Sequence, residues 1–487
     1  MRLLARTLRL TGCLTLGLAL AAVAQEGTFS NKNALPEIGV VASDALPLDK
    51  EIIIGDAVMR QMRAQSPIVA DPLLDEYLQD LGNRLVAQAE NVKFPFKFFW
   101  VNNNALNAFA FFGGHIGVHT GLIFKAQSES ELASVLAHEV AHVTQRHLAR
   151  RIQSQQRSTP IAIASLIGGI LVAMADPQAG MAVMQTGQAA SAQMQIDYTR
   201  SNEQEADRIG IAMLSRANFD PEGAASFFST LAEEYRLVSR PPARLLSHPL
   251  TETRIADART RASSYPKVHV AESLSFHLAR ARVMARYVFE PNYALDYFKA
   301  AVDKKAFKID QAAHYGLALA YLRAEKYKEA EQVLAPLLKQ HPENLFYLDV
   351  ATDISLAQKQ YEEAIDRLAP HLARAPRNQV LALNQANAMI EAGQHQKAIA
   401  ILKDFLLVNS QYQLPYQLLT EAYRNSRQMK DMHQSKAETF ALYGAYSRAV
   451  DELQHAYNFA EENHLEKQKI RARIKQLREE EERLKRL

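Results

Sequence analysis

The chain has 487 residues, of which 48% are hydrophobic and 22% charged, with a formal charge of +3. That length allows about two to four domains, and the composition is that of a core-forming protein. Arg2, Arg6 and Arg9 account for the whole excess, so the rest carries no bulk attraction for nucleic acid or anionic lipid.

Those arginines open residues 1–24, which continue as an apolar run and end in Ala22-Val23-Ala24. The order predicts a secretory signal peptide cleaved before Gln25, and the run is short of the ~20 residues of a membrane span. Cys13, the single cysteine, lies inside it, so the mature chain has no disulfide in a compartment that would tolerate one. Residues 25–48 read as an extended lead-in.

Helical periodicity follows over Asp49–Gln65 and Pro72–Ala89, and Phe94–Val101 reads as a strand. Gly113-Gly114 opens another, His115–Thr120. His115 and His119 share one of its faces, but they stand about 13 Å apart along a strand, too far to hold one ion. This strand is either an edge beside the next helix, able to pair with an extended peptide backbone, or simply the last strand of the sheet.

Ser128–Arg150 contains no Pro or Gly. Ser128 and Glu131 have the spacing of a capping box, and Leu132, Val135, Leu136 and Val143 form a helical apolar stripe. On it lies His138-Glu139-Val140-Ala141-His142. Four residues along a helix bring two imidazoles to one face, where each can offer Zn²⁺ a neutral nitrogen. Glu139 is turned by about 100°. It stands beside the water that zinc would carry, whose pKa falls to about 7, and can take its proton. The alternative is a pair of hydrogen-bonded core histidines, so a third ligand decides. One known continuation requires Gly and His where this chain has Gln145 and Leu148. His147 is one residue off and points another way on a continuous helix, so it reads as a surface histidine.

Pro160–Ala175 and Met181–Met194 are apolar and rich in small residues. They form either a buried helical hairpin or a surface that dips into a bilayer or plugs the cleft. Ser201 and Gln204 repeat the capping-box spacing, and Glu203, Asp207, Gly210 and Leu214 then share one helix face. A carboxylate pair running into Gly and Leu predicts Glu203 as the third ligand. Asp207 is then an acceptor orienting an imidazole N–H, or a proton donor to the leaving group. Glu205 points elsewhere and reads as solvated.

His138-Glu139-x-x-His142 followed by Glu203-x-x-x-Asp207 resembles the zinc peptidases grouped with the CAAX prenyl endopeptidases. Asn107-Ala108-Phe109-Ala110, Gly113 to Val118, His248-Pro249 and Arg254 match as well, so the resemblance covers roughly residues 45–262. It implies a zincin-like α+β domain over 49–265, one Zn²⁺ per subunit, and Glu139 as general base. Prenyl-protein processing is disfavoured, because the chain lacks an array of ~20-residue apolar spans. The resemblance brings His248, in the loop Val238–Thr253, near the zinc. There it either stabilises an oxyanion or occupies the open coordination position until the loop moves. Arg254 pairs with a site carboxylate or a substrate carbonyl.

Beyond residue 270 the pattern becomes continuous helix. Tyr327, Tyr361 and His395 fall 34 residues apart, each followed three residues later by Ala, and Pro342 recurs as Pro376. Tyr293 lies one period earlier, and Tyr446-x-x-Ala449 is a later copy out of phase. The period resembles tetratricopeptide repeats, which implies an all-α solenoid over 270–487 with a concave face for a peptide or protein. Glu461–Leu487 ends the chain as a charged helix with a narrow stripe of Ile470, Ile474, Leu477 and Leu484. It is a capping helix or a partner-binding coiled coil.

A cleaved signal, a zincin and a repeat domain together resemble the periplasmic quality-control peptidases of Gram-negative bacteria. The implied clients are unfolded or stalled outer-membrane β-barrel proteins, and the repeats would dock the barrel-assembly machinery or the client. Two functions follow: an endopeptidase, or a chaperone-like scaffold whose metal site stays silent.

Overall fold

Leu48–Gln65 (α1) and Pro72–Val86 (α2) are helical, as their periodicity predicts. The computed structural model describes residues 42–43, 46–156, 200–236, 248, 250–268, 270–461 and 463–486. The expectations for the signal peptide, for most of the lead-in, for residues 160–194 and for the Pro241-Pro242 loop lie outside these residues. No helix among the described residues is long and apolar enough to cross a membrane.

Three strands form one sheet in the order β1-β3-β2, with β1 Lys97–Val101, β2 Ala108–Phe111 and β3 His115–His119. β3 pairs in parallel with β1 and antiparallel with β2. Among the described residues it is therefore the central strand in space, not an edge, and the last of the three in chain order. The strand unforeseen in the sequence is β2, a four-residue segment too short to announce itself by alternation. Gly113 and Gly114, at φ 72 and 81, make the tight return between β2 and β3.

Thr120–Lys125 (α3) leads to Glu129–Thr144 (α4), every residue of which from Ser130 onward is buried. Its N-cap forms, with Glu131 N donating to Ser128 Oγ at 3.2 Å, but the Glu131 carboxylate accepts from Gln127 N at 2.8 Å, one residue before the N-cap N–H of a full capping box. The expected continuous helix to Arg150 is broken. Arg146 takes a left-handed φ of 50, and a new helix, α5, runs His147–Gln156. A buried ion pair accompanies the break. The Arg146 guanidinium donates to the Glu51 carboxylate at 2.8 and 3.2 Å and to Leu46 O at 2.6 Å.

Arg200–Arg216 (α6) lies against α4. Since α6 already includes Arg200, Ser201 sits in the first turn rather than at a cap. Gly210 permits the close approach: a Cβ there would meet His138 N at 3.2 Å. Glu222–Arg236 (α7) and Glu252–Ser263 (α8) complete this α+β part.

Leu274–Val283 (α9) begins the helical array. It continues with Pro291–Asp303 (α10), Asp310–Arg323 (α11), Tyr327–Gln340 (α12), Leu345–Ala357 (α13), Tyr361–Arg374 (α14) and Gln379–Glu391 (α15). His395–Leu406 (α16), Leu414–Asn425 (α17), Met429–Leu442 (α18), Tyr446–Asn458 (α19) and His464–Lys485 (α20) follow. The repeat has a structural cause. Tyr327, Tyr361, His395 and Tyr446 each open a helix, and Ala330, Ala364, Ala398 and Ala449 are each fully buried where helices pack. Tyr293 is out of register, third in its helix and 58% exposed. Ile470, Leu477 and Leu484 of α20 are buried in a cluster with Tyr446 and Leu453 and with Ile54 and Val58 of α1, so most of that stripe is covered within the chain.

A second tie joins α2 to the array. Asp71 caps α2, accepting from Leu74 N, and its other oxygen accepts from Arg282 Nε at 2.7 Å and Tyr287 Oη at 3.0 Å. Arg282 Nη1 donates in turn to Asp349 Oδ2 at 2.7 Å. All three charged groups are buried. Arg282→Met would remove the cation that Asp71 and Asp349 share, leaving only the more distant Arg286, 3.9 Å from Asp349. We expect a loss of about 3–5 kcal/mol, read as a lower urea midpoint. Gly210→Val should cost about 1–3 kcal/mol by overpacking α6 against α4 and lower the thermal midpoint, with Gly210→Ala milder.

Candidate metal centre

α4 presents His138 and His142 with their Nε2 atoms 2.9 Å apart. α6 brings Glu203 opposite them, its Oε1 3.4 Å from His142 Nε2 and its Oε2 3.5 Å from His138 Nε2. His248 closes the group, with Nδ1 3.3 Å from His138 Nε2 and 3.0 Å from Glu203 Oε1. One donor atom from each of the four residues lies within 4.8 Å of all the others, and all four residues are buried. Donors at about 2.1 Å from a tetrahedral ion stand about 3.4 Å from one another. The observed separations of 2.9 to 3.5 Å fit that arrangement. Glu139 is fully buried next to the cluster, with Oε1 3.7 Å from His248 Nε2.

A second layer lies behind these groups. Asp207 Oδ1 is 2.9 Å from His138 Nδ1. Arg254 holds that carboxylate with two hydrogen bonds, Nε to Oδ2 at 2.7 Å and Nη2 to Oδ1 at 2.8 Å. Its Nη1 is 2.7 Å from Glu203 Oε2. Thr251 caps α8 by accepting from Arg254 N, which sets the arginine at the head of its helix.

The electrostatics follow from burial against neighbours. Burial opposes the charge on Glu203, but His248, His138 and His142 outweigh it and hold the carboxyl far below its usual range. Asp207 is lowered in the same way, by His138 and Arg254 against burial. Burial and the neighbouring His138 push His142 well below an ordinary imidazole. A neutral imidazole is the form that ligates a metal. Three buried carboxyl groups, Glu139, Glu203 and Asp207, face one guanidinium. With all three ionised the formal balance is −2, which one divalent cation neutralises.

The structure thus brings together all seven residues singled out in the sequence: His138, Glu139, His142, Glu203, Asp207, His248 and Arg254. Arg254 pairs with two site carboxylates. His115 and His119, although buried, lie outside the cluster. Two expectations are corrected. His147 is fully buried, not at the surface, and Glu205 is not freely solvated. His147 Nδ1 lies 2.8 Å from His142 Nδ1, and its Nε2 lies 3.1 Å from Glu205 Oε2. The error follows from the continuous helix assumed to Arg150. The alternation of acids at 203, 205 and 207 was the available signal.

Residues 72–262 match Peptidase family M48, and residues 312–344 match a tetratricopeptide repeat. The chain is 43% identical to the beta-barrel assembly-enhancing protease of Escherichia coli, over 93% of each chain. It is also 43% identical to the putative beta-barrel assembly-enhancing protease of Vibrio cholerae, over 91% of this chain and 92% of that one. Against the mitochondrial metalloendopeptidase OMA1 of Schizosaccharomyces pombe it is 27% identical over 37% of this chain and 50% of that protein. With 43% identity along nine-tenths of its length to proteases of this kind, the chain belongs to peptidase family M48 and is a metallopeptidase followed by tetratricopeptide repeats.

Proposed function

We propose that this chain is a periplasmic zinc endopeptidase that degrades misassembled outer-membrane β-barrel proteins and assists their assembly. The observation that carries the chemistry is the buried group of His138, His142 and Glu203 with Glu139 beside it. The names of the relatives, which speak of enhancing β-barrel assembly, support the client class, and the predicted signal peptide supports the periplasm. On this reading the chain divides near residues 265–270.

His138, His142 and Glu203 hold the ion in this scheme. Bound zinc supplies a Lewis acid and a water of lowered pKa. Glu139 takes the proton of the attacking water and passes it to the leaving amine. Asp207 has both oxygens engaged, by His138 and Arg254, so it orients His138 rather than donating a proton. Arg254 favours the ionised form of Asp207 and fixes both Asp207 and Glu203 in place. An extended client strand is held beside β2 and α4. Ala110 and Phe111 of β2 line a small cavity together with His142 and Val143 of α4, which supports this placement.

His248 favours a second reading beside the first. Its Nδ1 stands at the fourth vertex of the donor set, where an attacking water or a substrate carbonyl has to sit. His248 holds the peptidase off, and the repeats can serve assembly while the site is silent.

Three measurements test this. Glu203→Ala should lose bound zinc by metal analysis. Glu139→Gln should keep zinc and lose proteolysis by about 10²–10⁴-fold; retained proteolysis removes Glu139 as base. If that variant still supports barrel assembly in cells, the scaffold role is separate from hydrolysis. His248→Ala should raise proteolysis of an unfolded barrel substrate, and unchanged or lower proteolysis overturns self-inhibition.

A further inference from the structure

His142 and His138 are held from behind by different means. For His138 the holder is direct: Asp207 accepts at Nδ1. For His142 no carboxylate among the described residues takes that place. Its Nδ1 faces Nδ1 of a second imidazole, His147, at 2.8 Å. Two ring nitrogens at that distance share one proton. Which ring carries it is decided on the far side. His147 Nε2 lies 3.1 Å from Glu205 Oε2, and Arg150 Nη1 donates to the same oxygen at 2.9 Å. A carboxylate accepts only, and the Arg150 guanidinium on the same oxygen marks Glu205 as the acceptor of this contact. His147 therefore donates from Nε2 and, as a neutral ring, offers a lone pair at Nδ1. His142 must then donate from its own Nδ1, which leaves its Nε2 with a lone pair aimed at Glu203 and His138.

We propose that His147 and Glu205 form a relay that positions His142 and fixes its tautomer, so that Nε2 is always ready for the metal. This deepens the metal-site reading above and rests on it. Both imidazoles from α4 are then backed by a carboxylate from the single helix α6, Asp207 directly and Glu205 through His147. Glu203 comes from the same helix. That accounts for acids at three alternate positions: 203 and 207 share the face toward α4, and 205, turned away from them, is reached by α5.

The backbone is built for this contact. On an uninterrupted helix His147 would be turned about 140° from His142. The left-handed Arg146 ends α4 and starts α5 with His147 folded back under His142. A non-glycine residue in that region costs of order 1–3 kcal/mol. The buried hydrogen bonds of Arg146 to Glu51 and Leu46 hold it there. Both ring nitrogens of His147 are engaged on the side away from the donor cluster, so it is a positioning residue and not a spare ligand.

The test uses the full chain, Zn²⁺ affinity by competition with a chromophoric chelator, and the visible spectrum of the Co²⁺ form. His147→Leu keeps bulk and removes the acceptor. It should weaken Zn²⁺ binding by about 10–100-fold and change the Co²⁺ bands. His147→Asn can place an amide oxygen near the lost Nδ1 and should bind close to wild type. Wild-type affinity and spectrum in His147→Leu overturn the proposal, and so does Asn binding as weakly as Leu, which is a merely structural effect. If His147→Leu does not fold, Glu205→Ala decides: weaker binding with altered Co²⁺ bands is expected, and unchanged binding overturns the relay. Failure of the metal-site reading looks different. Wild type then binds no Zn²⁺, or Glu203→Ala binds as tightly as wild type, and the relay falls with it.

Discussion

The packing of α6 on α4 forces three carboxyl groups into the interior beside one guanidinium, and the rest of the catalytic part is arranged around that charge. Burying an ion costs several kcal/mol even after relaxation. Glu203 and Asp207 both lie below a tenth exposed, and Glu139 is fully buried. Arg254 offsets only part of this. The imidazoles of His138, His142 and His248 supply the rest of the offset, and a divalent cation on the same donors would supply it in the loaded enzyme. Gly210 makes this grouping geometrically possible. Any side chain there would hold the α6 carboxylates away from the α4 imidazoles. Stability of the metal-free chain and function of the loaded one therefore oppose each other at the same residues.

The four groups on α4 and α6 were legible in the sequence because a helix maps spacing directly onto direction. Positions 138 and 142, and positions 203 and 207, can only share a face. That inference fails where the helix fails. Nothing in Val143 to Arg150 announces a break, since neither Gly nor Pro is present. The ion pair that accompanies it joins Arg146 to Glu51, far apart in the chain. A local pattern cannot encode a distant partner. His147 was misplaced for that reason alone, and Glu205 with it. The sheet shows the complementary limit. β2 has four residues, below the length at which alternation separates a strand from a loop. Missing it turned the central strand β3 into an apparent edge.

The helical array divides along the same line. Its period was visible because alanines at fixed positions are fully buried in successive helix pairs, and such positions tolerate little else. Its attachment to the catalytic part was not. Asp71, Asp75 and Glu76 make an acidic helix start, a pattern that the dipole favours without any partner, so nothing in the sequence marks them as a joint. In the fold each is used. Asp71 binds Arg282, Asp75 accepts from Tyr412 at 2.7 Å, and Glu76 accepts from Asn378 at 3.0 Å. The first turn of α2 is thus a joint spanning α9 to the loop before α17. Because Asp71 also caps α2, the joint and the helix share a residue, and loosening one loosens the other.

This joint bears on how a self-inhibited site is opened. On the self-inhibited reading proposed above, His248 competes for the fourth position from within the same chain, at an effective concentration of the millimolar order typical of tethered groups. A free peptide at micromolar concentration loses to it unless its intrinsic affinity is far higher. A client held by the repeats of the same molecule does not, since its own segment is then tethered too. On that proposed reading, selectivity against folded or dilute proteins would follow from this symmetry without any sequence preference in the cleft. It requires that the repeats stay fixed relative to the catalytic part while the client is held, and buried charge pairs with tight geometric demands hold that arrangement better than a flexible linker does.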